Sequence, residues 1–174
     1  MRTICAAVAA AIAAWLLVAP AAAADTVPRD FTLTAEYYPA LPDLERDRWD
    51  RMTWHRWTLT VTADGKALQE TQRSGRGSVK GIHRRFVKLR QRDVARLVTT
   101  VRTAGFERLA GDYAFAVSRA ATLVLRVTMD GRSHEVTVYG PERVKGDPEV
   151  AAFLRVWNQT LRLVPPPNTG QRPE

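Results

Sequence analysis

Cysteine is almost absent from this sequence, and so are the motifs of familiar enzyme classes. The only cysteine among the 174 residues is Cys5, which lies in the N-terminal segment discussed below, so the rest of the chain must fold without a disulfide. There is no Gly-x-Ser-x-Gly elbow and no Ser-x-x-Lys motif. Gly75-Arg76-Gly77 is not followed by the Gly-Lys-Ser/Thr of a phosphate-binding loop. We therefore predict no catalytic residue and no enzymatic activity.

Histidine is also scarce, because His55, His83 and His134 are the only three in the chain. None of them has a second histidine or a cysteine at the spacing that a helix or a hairpin would need to bind a metal ion. We interpret His134 as a half-buried side chain at the rim of a sheet. The sequence thus predicts neither a metal site nor a cofactor.

A long hydrophobic run occurs only at the N terminus. Arg2 precedes an apolar stretch over residues 4–18, and Ala22-Ala23-Ala24 supplies small residues for cleavage, which is the layout of a secretory signal peptide. We predict a signal peptide over residues 1–24 and export to the periplasm or the extracellular space, with no transmembrane segment after cleavage; an uncleaved anchor is the alternative. Residues 25–164 are long enough for a single domain, and residues 165–174 are expected to form a disordered tail.

Acidic residues are clearly outnumbered by basic ones. The predicted signal peptide contains one of the 26 Lys and Arg residues and none of the 18 Asp and Glu residues, so the exported chain carries a formal charge of +7. A basic surface favours anionic partners such as lipid head groups, glycans, nucleic acids or acidic proteins. The plainer explanation is an excess of arginine that keeps an exported protein soluble.

Two stretches of alternating apolar and polar residues predict β-hairpins around Asp64-Gly65 and Asp130-Gly131. In the second hairpin a two-residue turn would pair Met129 with Arg132 and would place Arg126 opposite Glu135. Both stretches share the pattern Leu-x-Val-Thr-x-Asp-Gly-basic, so we expect two equivalent hairpins. The return strand of the first, residues 66–72, is mostly polar and is expected at an exposed sheet edge.

The remaining segments are assigned from their periodicity. Residues 30–38 and 82–89 read as strands, residues 43–55 as an irregular charged segment, and residues 73–81 as a flexible loop. An apolar stripe predicts a helix over residues 92–104 that ends before Gly105. Asp147-Pro148 predicts the start of a second helix. The order of elements predicts a two-layer α+β fold, in which an antiparallel sheet of about four to six strands has two helices packed on one face.

The most informative surface feature covers residues 73–92, here called the basic stretch, and it contains no acidic residue. Its eight cations form the candidate anion-binding site: Arg73, Arg76, Lys80, Arg84, Arg85, Lys88, Arg90 and Arg92. A second basic segment, residues 46–56, is interleaved with tryptophans and is followed by Trp57. That mixture suits membrane interfaces, glycan stacking or single-stranded nucleic acid, although no specific nucleic-acid motif is present. The alternative is that Trp57 packs in the core and that the arginines are only solvated.

The first hairpin, the helix end Ala104-Gly105-Phe106, Tyr113 and the second hairpin with its following helix together resemble a group of uncharacterised bacterial exported proteins, a domain of unknown function. The similarity covers roughly residues 58–163 and consists mainly of turn and core signals. Members of that group often carry a Cys-x-Gly-x-Cys-Pro stretch before the first hairpin, which this chain lacks. The resemblance implies an exported α+β domain and supplies no catalytic or binding residue.

Three functional hypotheses compete at this point. The first is a non-catalytic envelope protein, periplasmic or secreted, that binds an anionic lipid, a glycan or an acidic protein through the basic stretch. The second is a protein-interaction or inhibitor module that docks through the exposed hairpin edge. The third is a hydrolase whose site carries no recognised motif. Salt should separate the first two, because ionic binding weakens steeply with salt whereas strand addition depends on it less.

Overall fold

The computed structural model describes residues 26–40, 53–75, 78–143 and 146–166, and the predicted signal peptide lies outside these ranges. The residues described form one α+β unit. Its strands are β1 Thr32–Tyr38, β2 Thr53–Thr62, β3 Lys66–Gly75, β4 Ser78–Lys88, β5 Asp112–Ala114, β6 Thr122–Met129 and β7 Arg132–Tyr139. Its helices are α1 Gln91–Thr103 and α2 Pro148–Leu163, with short 3-10 turns at Phe106–Arg108 and Pro141–Arg143.

All seven strands belong to one sheet, in the order β4-β3-β2-β1-β6-β7-β5. The first strand lies between the two hairpins, because Thr32 pairs with Thr62 on one side and with Thr128 on the other. The α+β class is confirmed. The prediction of four to six antiparallel strands is wrong, because β5 adds to β7 in parallel. That strand has only three residues, too few for an alternating pattern to be visible in the sequence.

The second hairpin has the predicted register. Met129 pairs with Arg132, and Arg126 lies opposite Glu135 and forms an ion pair with it. Asp130 and Gly131 both have positive φ, +53° and +74°, as a two-residue type I′ turn requires. The turn also receives support from outside the hairpin, since the Asp30 carboxylate accepts hydrogen bonds from the backbone N–H groups of Asp130 (3.1 Å) and Gly131 (2.6 Å).

The first hairpin is not equivalent to the second, which corrects the expectation from the shared pattern. β2 ends at Thr62 and β3 begins at Lys66, so the loop contains three residues, and of these only Gly65 has positive φ. The Gly65 N–H donates to the Thr62 carbonyl oxygen at 2.9 Å, which is a type I turn followed by a left-handed glycine. The same Asp-Gly dipeptide therefore occupies different positions in two different turns.

The structure also corrects the predicted loop over residues 73–81 and the predicted edge at residues 66–72. β3 continues to Gly75 and β4 begins at Ser78, so only residues 76–77 separate the two strands. β3 pairs with β2 on one side and with β4 on the other, and it is therefore an interior strand. Gly and Ser have weak strand propensity, but pairing along a long hairpin outweighs that local preference. A register shift at Arg73/Ser74 accommodates the irregular composition.

Both helices cover the same face of the sheet. Leu33, Leu59 and Leu125 are fully buried on that face, while the residues between them on each strand are only partly covered. The Asp147 carboxylate caps α2 by accepting from the N–H groups of Glu149 (2.8 Å) and Val150 (3.2 Å), as predicted. The other face carries no described helix, and we call it the open face.

Three sequence predictions concern the ends and the charged segment. Gly105 follows α1 with φ of +62°, as predicted for a left-handed helix end. Of residues 43–55, predicted to be irregular, 43–52 lie outside the described ranges; the prediction is wrong for residues 53–55, which begin β2 and pair with β3. Most of the predicted tail is also outside them, although the Pro165 carbonyl oxygen accepts a hydrogen bond from the buried Gln69 side chain at 2.9 Å.

Candidate functional site

Strand β4 is an edge of the sheet, and it carries the central part of the basic stretch. Within the described residues it pairs with β3 alone. Arg84, Arg85 and Lys88 lie on β4, and all three are exposed. Because consecutive strand residues point to opposite faces, Arg84 and Lys88 project on the open face and Arg85 projects on the helix-covered face. The cations thus line a strand edge and do not converge on a pocket.

The other predicted site residues are distributed around this edge. Arg73 lies on β3 and Lys80 on β4, where only their backbone positions are described, and Arg76 lies outside the described residues. Arg90 precedes α1 and Arg92 lies in its first turn, and both are exposed. The structure therefore brings together Arg84, Arg85 and Lys88 as one strip, with Arg90 and Arg92 continuing beyond the end of the strand.

Local partners already hold several of these cations. The Arg84 guanidinium donates to Glu70 Oε1 on β3 at 2.7 Å, and Lys88 Nζ donates to the Asp64 carbonyl oxygen at 2.6 Å. Arg90 Nε donates to Asp93 Oδ2 at 2.7 Å and lowers the pKa of that carboxyl below its ordinary value. Arg85 makes no ion pair with any residue that the structure describes. Two of the five described cations are therefore neutralised locally by a carboxylate, Arg84 and Arg90.

Two large apolar side chains share this edge, and the charge pattern did not reveal them as part of a site. Ile82 is 54% exposed and Phe86 is 78% exposed, whereas large apolar residues of the core are almost fully covered. Both project on the open face, since Ile82 pairs with Gln72 and Phe86 with Leu68. Along that face of β4, apolar and basic residues therefore alternate in the order Ile82, Arg84, Phe86, Lys88.

A shallow groove lies on the open face beside the row formed by Ile82, Arg84, Phe86 and Lys88. It is lined by Arg56, Thr58, Glu70, Gln72 and Ile82. The Arg56 guanidinium forms an ion pair with Glu36 and lies 5.3 Å from the centre of the Tyr38 ring.

The Tyr38 hydroxyl also donates to Glu36 at 2.6 Å. Burial and this hydrogen bond raise the pKa of Tyr38 above its ordinary value. Glu36 and Arg56 are 20 positions apart in the chain, so only the pairing of β1 with β2 reveals this network.

The residues considered for catalysis or for metal binding lie apart from each other. His134 Nε2 is 3.0 Å from the Leu109 carbonyl oxygen, and its ring packs edge-on against Phe106; the side chain is half-buried, as predicted. His83 is exposed on β4. In the described part of the chain, no three His, Cys, Asp or Glu side chains are grouped so that they could hold a metal ion.

Trp57 belongs to the core and not to a binding surface, which confirms the alternative interpretation for this residue. It is 1% exposed and packs edge-on against Trp157 of α2, with ring centroids 5.9 Å apart. Trp49 lies outside the described residues and the Trp54 side chain is not described. The expected interleaving of cations with exposed tryptophans therefore gains no support from Trp57.

The fold and the edge together define an α+β protein with one helix-covered sheet face and a basic, partly apolar edge strand. No protein-family model matches the sequence, and no curated protein matches it significantly. The resemblance to a group of exported proteins accordingly stays a prediction. None of the described helices is long and apolar enough to cross a membrane.

Proposed function

We propose that this protein is an exported, non-catalytic binding protein that holds an anionic partner along the β4 edge. The observation that carries the proposal is the placement of Arg84, Arg85 and Lys88 on both faces of a strand that, in the part of the chain that the structure describes, pairs on one side only. An extended anionic chain or surface can contact such a strip along its length, whereas a small anion would need converging donors.

The excess of positive charge over the whole chain supports the same proposal. The formal charge of +7 on the exported chain raises the local concentration of anionic partners near the surface. The carboxylate of Glu70 forms an ion pair with Arg84 in the free protein, and a bound anion would compete with Glu70 for this guanidinium. Arg85, which has no described counter-ion, offers the least hindered contact.

The proposal is tested by comparing two variants with the same change in net charge. The first changes Arg84, Arg85 and Lys88 to Gln. The control changes three exposed cations that lie away from β4 in the chain and belong to other elements: Arg132, Arg143 and Arg155. A basic residue near an anionic surface contributes about 1 kcal/mol, so the β4 variant should bind about a hundredfold more weakly. The control variant should lose only the part of the affinity that depends on net charge.

Binding should be measured by sedimentation or fluorescence anisotropy at low and high salt. The probes are anionic phosphatidylglycerol vesicles, lipopolysaccharide, peptidoglycan and a single-stranded oligonucleotide. Salt-sensitive binding to one probe that only the β4 variant loses would support the proposal and would identify the class of partner. Equal losses in both variants would reduce the basic stretch to a solubilising surface and would overturn it.

A further inference from the structure

The backbone of β4 is the longest unpaired edge in the described sheet. The strand contains 11 residues, and within the described chain only β3 pairs with it. The N–H and C=O groups on its other side are a template for a further strand. Sheet edges of this length are usually shortened, bulged or covered. The register shift in the pairing with β3 interrupts β4 between Val79 and Gly81, but residues 81–88 continue as a regular edge at the centre of the basic stretch. This regular part of the edge calls for an occupant.

The side chains along this edge narrow the choice of occupant. Ile82 and Phe86 expose about half and three quarters of their surface, and they alternate with Arg84 and Lys88 on the same face. A phosphate-rich polymer would satisfy the two cations but would leave both apolar side chains in water. A strand with acidic and apolar residues in alternation would satisfy all four positions, because cross-strand neighbours of opposite charge and apolar pairs both stabilise a sheet.

Charge argues against the two nearest alternatives. An anionic membrane laid on the open face would meet the carboxylates of Glu36, Glu70 and Glu135, which all lie on that face. A second copy of the chain, paired through its own β4, would bring arginine and lysine side chains against each other, and like charges across an interface repel. An acidic segment of another polypeptide avoids both conflicts.

We propose that the anionic partner is an extended acidic segment of a protein, and that it adds to β4 as an eighth strand. This inference rests on the proposed function, because it identifies the partner of the same edge. Acidic residues of the added strand would face Arg84, Arg85 and Lys88. Apolar residues would face Ile82 and Phe86.

A designed peptide tests the pairing directly. The probe Gly-Glu-Val-Val-Glu-Asp-Thr-Val-Gly places Glu opposite Lys88, Val opposite Phe86, Glu and Asp opposite Arg85 and Arg84, and Val opposite Ile82 in antiparallel register. A second probe has the same sequence with alternate backbone N–H groups methylated, in two versions that cover both sets of amides. A third has the same composition in scrambled order. Since each backbone hydrogen bond is worth about 0.5–1.5 kcal/mol, one methylated version should bind at least about tenfold more weakly than the parent.

Variants of the protein test the apolar half of the proposal. Ile82→Thr combined with Phe86→Thr keeps strand propensity and charge but removes both exposed apolar side chains. Val124→Thr, on the open face of the interior strand β6, is the matched control. The double variant should bind the parent peptide at least about tenfold more weakly, and the control should bind it like the unmodified protein. Amide hydrogen exchange should slow in β4 when the parent peptide binds.

The outcomes separate this inference from the proposed function. Strand addition is supported if the parent peptide binds, if methylation and the apolar variant each weaken it, and if β4 amides become protected. Equal binding of parent, methylated and scrambled peptides would overturn strand addition and would leave a purely ionic edge, as would binding to vesicles or oligonucleotide with none to the peptide. A protein that binds neither the peptide nor any anionic probe would refute the inference and the proposed function together.

Discussion

Replacing Trp157 with Ala should separate α2 from the sheet more than any other single truncation on that helix. Its ring stacks on Phe153, with an interplanar angle of 12° and centroids 6.2 Å apart, and meets the edge of Trp57 on β2. The side chain is 6% exposed, so truncation removes nearly all of its buried surface and leaves a cavity. Trp→Ala changes in cores cost about 3–5 kcal/mol, and the lost ring pairs place this one near the upper half of that range.

The assay is urea unfolding followed by circular dichroism, with thermal melting as a second readout. A loss of about 4 kcal/mol should lower the melting temperature by roughly 8–16 °C in a domain of this size. Trp157→Phe keeps an aromatic ring against Trp57 and should recover about half of the loss. Arg155→Ala on the exposed side of the same helix should change stability by no more than about 0.5 kcal/mol. If Trp157→Ala cost less than the arginine control, the packing of α2 against β2 would be refuted.

Two further predictions concern the turns. Gly131→Ala should lower the free energy of unfolding only by the strain of a left-handed alanine, about 1–2 kcal/mol, because nothing lies within 4 Å of the added Cβ. Gly65→Ala should lower it by at least about 1 kcal/mol more, since the added Cβ would lie 2.7 Å from the Leu89 carbonyl oxygen. Urea titration of both variants checks this, and equal losses would contradict it. Hydrogen bonding from the Gly131 N–H lowers the pKa of Asp30 below its ordinary value. The contribution of this carboxylate to stability is therefore complete above the ordinary pKa and is lost as the pH falls through the lowered one. Asp30→Asn should therefore flatten the acid limb of the stability–pH curve, and an unchanged limb would disprove the assignment.

Segments whose local signals are self-sufficient could be predicted from the sequence. Asp130-Gly131 fixes both the turn type and, through a two-residue loop, every cross-strand pair of its hairpin. Asp147-Pro148 supplies a capping carboxylate and a preset helical φ, so the predicted start of α2 is confirmed. Neither prediction needed any contact with the rest of the chain.

The loop of the first hairpin, the pairing of β3 with β4 and the strand β5 could not be predicted in the same way. The Asp64-Gly65 dipeptide is compatible with a two-residue or a three-residue loop, and the contact of Gly65 with Leu89, which lies between β4 and α1, belongs to tertiary structure. Residues 73–81 lack strand propensity, so their pairing depends on β2 supplying a neighbour for β3. The parallel addition of β5 to β7 likewise has no local signature.

For the candidate site, too, local features could be predicted from the sequence, whereas features that depend on strand pairing could not. The eight cations of the basic stretch could be counted in the sequence, but the division of Arg84, Arg85 and Lys88 between two faces follows from the register of β4 on β3. The exposure of Ile82 and Phe86 could not be foreseen, because alternating apolar residues in a short strand normally indicate a buried face. Here the helix-covered face of β4 carries His83 and Arg85 beside the partly buried Val87, whereas the two most exposed apolar residues, Ile82 and Phe86, project to the open face.

The exposure of Ile82 and Phe86 between the cations helps to explain why this edge strand is basic. Lysine and arginine on an edge strand commonly prevent pairing with copies of the same chain. That role alone would be served best if polar residues replaced Ile82 and Phe86, because exposed apolar side chains on an edge promote the association that the cations oppose. Cations and apolar residues in strict alternation repel another basic strand but remain complementary to an acidic one that has apolar residues at every second position of that face. Simple protection of an edge therefore does not account for Ile82 and Phe86, whereas the proposed acidic strand would account for both the cations and the apolar residues of β4.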